Sequence, residues 1–107
     1  MECNIRFQPE LVGDSVFIAH NATVLGDVQL GDRSSVWYGS VIRGDTERVR
    51  IGQETNLQDL CVVLADPGYP CLIGDRVTVG HAAIVHGAKI ADDVMIGMRA
   101  VVLNGAT

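Results

Sequence analysis

The sequence predicts an all-β fold, a parallel β-helix built from six-residue units, and three observations predict it. From Val12 an aliphatic residue recurs every sixth position: Val12, Ile18, Val24, Leu30, Val36, Ile42, then Ile51, Leu57, Val63, then Ile73, Val79, Val85, then Ile90, Ile96, Val102. The next residue is often glycine or another small residue (Gly13, Ala19, Gly31, Gly52, Gly74, Gly80, Ala91, Gly97). The fifth position of the unit is small or β-branched (Val16, Ala22, Val28, Ser34, Val77, Ala83, Val94, Ala100). A helix would repeat at 3.6 and a half-buried hairpin strand at 2. A period of six, with glycine beside the anchor, describes a short strand and a corner, repeated.

Three units close a triangular coil of roughly 18 residues, and coils stack at the ~4.8 Å strand spacing. One coil cannot bury its own inner face, so stacking supplies the core. Taken in threes, the units give five coils in a single domain, 1–107, with repeats from about residue 12 onward. The first face carries Val12, Leu30, Ile51, Ile73 and Ile90. The second carries Ile18, Val36, Leu57, Val79 and Ile96, and the third Val24, Ile42, Val63, Val85 and Val102. All three irregularities follow third-face anchors. The unit at Ile42 is three residues too long, the unit at Val63 four too long, and the unit at Val85 one short. Insertions in a solenoid map to loops, often on the binding face. Asp66-Pro67-Gly68 and Pro70 bring turn chemistry to the second loop.

Composition narrows the function. The formal net charge is −5, from 13 acidic and 8 basic residues, which argues against nucleic acid or an anionic membrane as partner. Cys3, Cys61 and Cys71 are odd in number and unpaired in spacing, the pattern of reduced thiols in a cytoplasmic protein. No apolar run is long enough to span a bilayer. The first residues lack the charged-then-apolar layout of a secretory leader.

Residues immediately after the anchors point outward and align between coils. On the third face these are Leu25, Arg43, Leu64, His86 and Leu103. One coil plus the four-residue loop separates Leu64 from His86, so the two lie side by side. His81 belongs to the second face at a different offset, and is expected to meet His86 only across a subunit boundary. A three-fold assembly of prisms closes such head-to-tail contacts.

The segments Val41-Ile42-Arg43-Gly44-Asp45, Asn56-Leu57-Gln58-Asp59, Ala65-Asp66-Pro67-Gly68, Ile73-Gly74-Asp75, Val79-Gly80-His81, Val85-His86-Gly87, Ile96-Gly97-Met98 and Val101 through Ala106 carry a more specific signal. From about Val12 to its last residue the chain resembles the gamma-class carbonic anhydrases. That resemblance implies a left-handed β-helix, against the usual crossover preference. It also implies a homotrimer, with zinc or iron held between subunits for the hydration of carbon dioxide. His81 and His86 match the metal ligands given by neighbouring subunits. The third ligand of the family falls at Leu64, which has no donor atom. Arg43 and Asp45 match a pair near the subunit interface. Gln58 matches the residue that orients metal-bound water, with Asn56 close by. The family's C-terminal helix has no counterpart in this sequence.

Catalytic zinc takes three protein ligands and a water whose pKa it lowers to about 7. Leu64 therefore predicts weak or absent activity. Asp66, Cys61 and Cys71 are the other donors in the neighbourhood, but their offsets do not favour them, and Cys61 reads as a small core hydrophobe. Blander roles stand beside these. His20 reads as a corner histidine, Arg43 with Asp45 as an interface ion pair, and Asn56 with Gln58 as groups that satisfy corner backbone. Trp37 and Tyr38 read as second-face packing, and Tyr69 as loop packing. Two other functions fit the repeat: a non-catalytic trimeric scaffold subunit, and acyl-coenzyme A transfer or thioester hydrolysis.

Overall fold

The computed structural model of the chain describes residues 5–107. Cys3 lies outside them. The described chain contains no α-helix; a single 3-10 turn, Pro9–Leu11, leads into the repeats. Twelve strands follow: β1 Phe17–Ile18, β2 Thr23–Leu30, β3 Ser35–Val36, β4 Val41–Ile51, β5 Asn56–Leu57, β6 Val62–Leu64, β7 Cys71–Ile73, β8 Thr78–Val79, β9 Ile84–His86, β10 Lys89–Ile90, β11 Met95–Ile96 and β12 Val101–Val102. All their pairings are parallel.

The registers reproduce the three predicted faces. Ile18, Val36, Leu57, Val79 and Ile96 pair in series through β1, β3, β5, β8 and β11. Val24, Ile42, Val63, Val85 and Val102 do so through β2, β4, β6, β9 and β12. Leu30, Ile51, Ile73 and Ile90 form the remaining column, which an isolated bridge extends to Val12. Each face is thus five rungs deep, and β2 and β4 run around a corner to serve two faces. The three extra residues after Ile42 appear as a register shift between Gly26 and Val28 of β2.

The core is the stack of anchors and fifth-position residues. Val36, Ile42, Leu57, Val63, Val79 and Val85 are wholly buried, as are Cys61, Val77 and Ala83 between them. The polar fifth-position residues are satisfied by backbone. Ser34 donates to the Gly31 carbonyl at 2.7 Å, Ser40 to that of Gln58 at 2.6 Å, and Thr55 to that of Gly74 at 2.8 Å. Burial pushes the Cys71 thiol from its ordinary 9.0 up to about 11, and raises that of Cys61 as well. The sign follows from linkage. The unfolded chain loses the Cys71 proton first, so this contribution to stability is present below pH 9.0 and is lost as pH rises towards about 11. Urea midpoints are expected to fall over that interval, and less steeply in Cys71→Ala.

Two ladders explain the small residues and the corners. A Cβ on Gly31 would stand 2.5 Å from the Gly52 carbonyl carbon, and one on Gly52 would stand 2.5 Å from the Gly74 carbonyl oxygen. The coils approach too closely there for a side chain. At the next corner position Ser15, Arg33, Glu54, Arg76 and Asp93 adopt left-handed φ between 54° and 61°, a conformation that non-glycine residues rarely take. The four from Arg33 on each donate their N–H to a carbonyl of the preceding coil, at 2.8 to 2.9 Å. Gly39, Leu60, Ala82 and Arg99 repeat the left-handed conformation at the corner between the second and third faces.

Trp37 and Tyr38 are not core residues. They lie on the outer side of the second face, where Phe17 packs on Trp37 with ring centroids 4.8 Å apart. Exposed His20 meets Tyr38 edge-on at 5.8 Å.

Candidate functional site

The outward column of the third face holds Arg43, Leu64 and His86 in direct register, Arg43 beside Leu64 and Leu64 beside His86. Alternation along a strand dictates this: Ile42, Val63 and Val85 point inward, so their successors point out. Arg43 donates to Asp45 at 2.7 Å, and the Asp45 side chain is only 11% exposed.

The two long loops lie against each other beside this column. Thr46 donates its hydroxyl to the Ala65 carbonyl at 2.8 Å, and the Gly68 N–H donates to Glu47 Oε2 at 3.2 Å. Backbone N–H donation from Arg48 and Gly68 holds the Glu47 carboxyl below its usual range. Asp66 and Tyr69 exchange backbone hydrogen bonds at 3.3 and 2.7 Å, which reverses the chain. The reversal brings Asp66 Oδ2 to 3.2 Å from His86 Nε2. Nε2 is buried, yet the approach lacks the alignment of a hydrogen bond. Asn104 donates to the same Asp66 oxygen at 2.8 Å. That hydrogen bond is the largest of the causes that hold the Asp66 carboxyl below its usual range.

The offset of Asp66 along the repeat gives no sign of this approach to His86. Counting along the repeat places strands but says nothing of the path a loop takes outside them. Cys61 and Cys71 are buried in the core, as the offsets imply.

The second face carries the remaining predicted residues. Gln58 donates its side-chain amide to Asn56 Oδ1 at 3.1 Å, and Asn56 donates to Thr78 Oγ1 at 3.0 Å. These bonds join side chains to side chains rather than satisfying corner backbone. Asn56, Gln58 and exposed His81 border one open cleft of about 280 Å³ with Ser35, Trp37 and Asp59. Ser35 and Thr78 carry no sequence signal of their own; only the stacked register shows that they adjoin the cleft.

Histidines 81 and 86 thus belong to different faces of one prism. Among the described residues no cluster of three or more His, Cys, Asp or Glu side chains is placed to hold a metal ion. The three-imidazole set implied by the resemblance does not fit this chain, because Leu64 occupies the third position with a hydrocarbon side chain.

The bacterial transferase hexapeptide (six repeats) family model matches residues 11–44. A protein of Methanocaldococcus jannaschii named as a probable carbonic anhydrase is 51% identical over 86% of this chain and 58% of its own length. The mitochondrial gamma carbonic anhydrase 2 of Arabidopsis thaliana is 44% identical over 95% of this chain and 39% of its own. A solved hexapeptide transferase family protein from Anaplasma phagocytophilum superposes with a TM-score of 0.71 at 30% identity, covering 88% of this chain and 69% of that one. The chain belongs to the hexapeptide transferase family, and over most of its own length it is similar to gamma carbonic anhydrases. It spans about three-fifths or less of the length of the two curated relatives.

Proposed function

We propose that this chain is a gamma-carbonic-anhydrase-like subunit that assembles as a homotrimer, with His81 of one subunit facing His86 of the next. The reading assigns it the reversible hydration of carbon dioxide, in weakened form because Leu64 replaces a histidine. The observation that carries it is the division of the two histidines between the second and third faces. Three prisms arranged head to tail bring unlike faces together and close the ring. Arg43 with Asp45 borders the half-site of the third face, and Gln58 with Asn56 orders the polar wall of the other. The ion that suits the two imidazoles is zinc or iron. No helix among the described residues is long and apolar enough to cross a membrane. The buried free thiols suit a reducing, cytoplasmic setting.

Subunit complementation tests the reading. In a Leu64→His background, His81→Ala and His86→Ala each remove a donor from every interface, and neither homo-oligomer is expected to hold zinc. Mixed trimers regain one intact interface each, so co-refolding equal amounts is expected to restore about a quarter of the sites. Zinc per chain in the mixture reads this directly. Zinc that stays absent after mixing would overturn the inter-subunit assignment.

The same Leu64 favours a second reading, a scaffold subunit without activity. In that case Leu64→His leaves the hydration rate at background.

A further inference from the structure

The family position for the third donor is empty of donor atoms, yet a donor stands next to it. Asp66 Oδ2 lies 3.2 Å from His86 Nε2. For an ion pair held by a hydrogen bond, the imidazole N–H would point at the carboxylate, and here it does not. A separation of this size is also what two ligand atoms show on one cation. With bonds of about 2.0–2.1 Å, the edge of a tetrahedron is about 3.3 Å and that of an octahedron about 2.9 Å. The observed distance falls between the two.

The carboxylate is prepared for such a role. Asn104 donates to Oδ2 at 2.8 Å, the outer hydrogen bond that ligating carboxylates ordinarily receive. The loop that carries Asp66 is pinned by the Asp66–Tyr69 reversal, by Thr46 on Ala65 and by Glu47 on Gly68. Asp66 is therefore placed before any ion arrives. One chain offers only this pair, in keeping with the absence of a three-donor cluster among the described residues.

We propose that Asp66 replaces the missing histidine, so that His86 and Asp66 of one subunit, with His81 of its neighbour, form a divalent-cation site of two imidazoles and one carboxylate. This rests on the inter-subunit reading above. Such a donor set suits zinc and ferrous iron. Leu64 then forms an apolar wall beside the ion instead of marking a lost site.

The test uses the full chain, stripped with chelator and titrated with zinc alone, with ferrous iron under anaerobic conditions as a second probe. The variants are Asp66→Ala, Asp66→Asn, His86→Ala and the double variant Leu64→His/Asp66→Ala. Circular dichroism and oligomer mass show that each is folded and assembled. The native chain is expected to bind about one ion per chain, Asp66→Ala and Asp66→Asn to bind at least about 10-fold more weakly, and the double variant to recover binding. Native-like affinity in both Asp66 variants would overturn the proposal, and if His86→Ala still abolishes binding the inter-subunit reading stands. A native chain that binds nothing while the double variant binds zinc also overturns it, again leaving that reading in place. Failure of every variant to bind, or unchanged binding in His86→Ala, removes both.

Discussion

Leu64→His is expected to raise zinc affinity and the rate of carbon dioxide hydration by at least about 10-fold each, the scale on which even outer partners of a metal act. The new imidazole projects from β6 directly beside His86 of β9, because the two positions are in register. The exchange asks little of the fold. Leu64 is an outward, partly exposed side chain, while Val63 beneath it keeps the core. Without metal, stability is expected to stay within about 0.5 kcal/mol of the native chain. Stopped-flow hydration assays and zinc titration of the two proteins side by side provide the check. Unchanged values in both would mean that this position does not limit the site.

Gly52→Val is expected to cost the fold about 3 kcal/mol or more, at the upper end of overpacking penalties. Its Cβ would press on the Gly74 carbonyl oxygen at 2.5 Å, and a backbone group held in a parallel ladder cannot swing aside as a side chain can. Because small domains are stable by only about 5–15 kcal/mol, the loss takes a large share of the whole. Gly97 is the control. A Cβ there meets nothing within 4 Å, so Gly97→Ala is expected to be nearly neutral. Urea denaturation of the three proteins separates the outcomes. A native-like midpoint for Gly52→Val would mean that the coils can move apart at this edge.

Much of this architecture is legible in the sequence because the physics of a solenoid is local and periodic. A residue six places on must fill the same inward position, so the columns from Val12 through Val102 and the pairing of Leu64 with His86 follow from counting. Loop lengths can be counted as well, which is why an insertion of four residues did not obscure that pairing. The course of a loop cannot be counted. Asp66 reaches His86 through a reversal closed at Tyr69 and an amide from Asn104, 38 residues away in sequence. The left-handed corners were equally hidden. Arg33, Glu54, Arg76 and Leu60 have no preference for that conformation, and adopt it because the coil before them offers a carbonyl to each N–H. Trp37 and Tyr38 show the opposite limit: being aromatic says only that they pack, and they pack outside.

The stacked rungs also bear on the order in which the molecule opens. In a quasi-one-dimensional array each layer is held by its two neighbours, so fraying starts at the outer layers and moves inward. Val12 and Val102, on the first and fifth layers, are only partly buried, whereas Leu57, Val63, Val79 and Val85 on the third and fourth are sealed. Asn56, Gln58 and Leu64 ride on the third layer, and His81 and His86 on the fourth. The groups that chemistry would need held still are therefore mounted on layers whose inward residues are sealed from water.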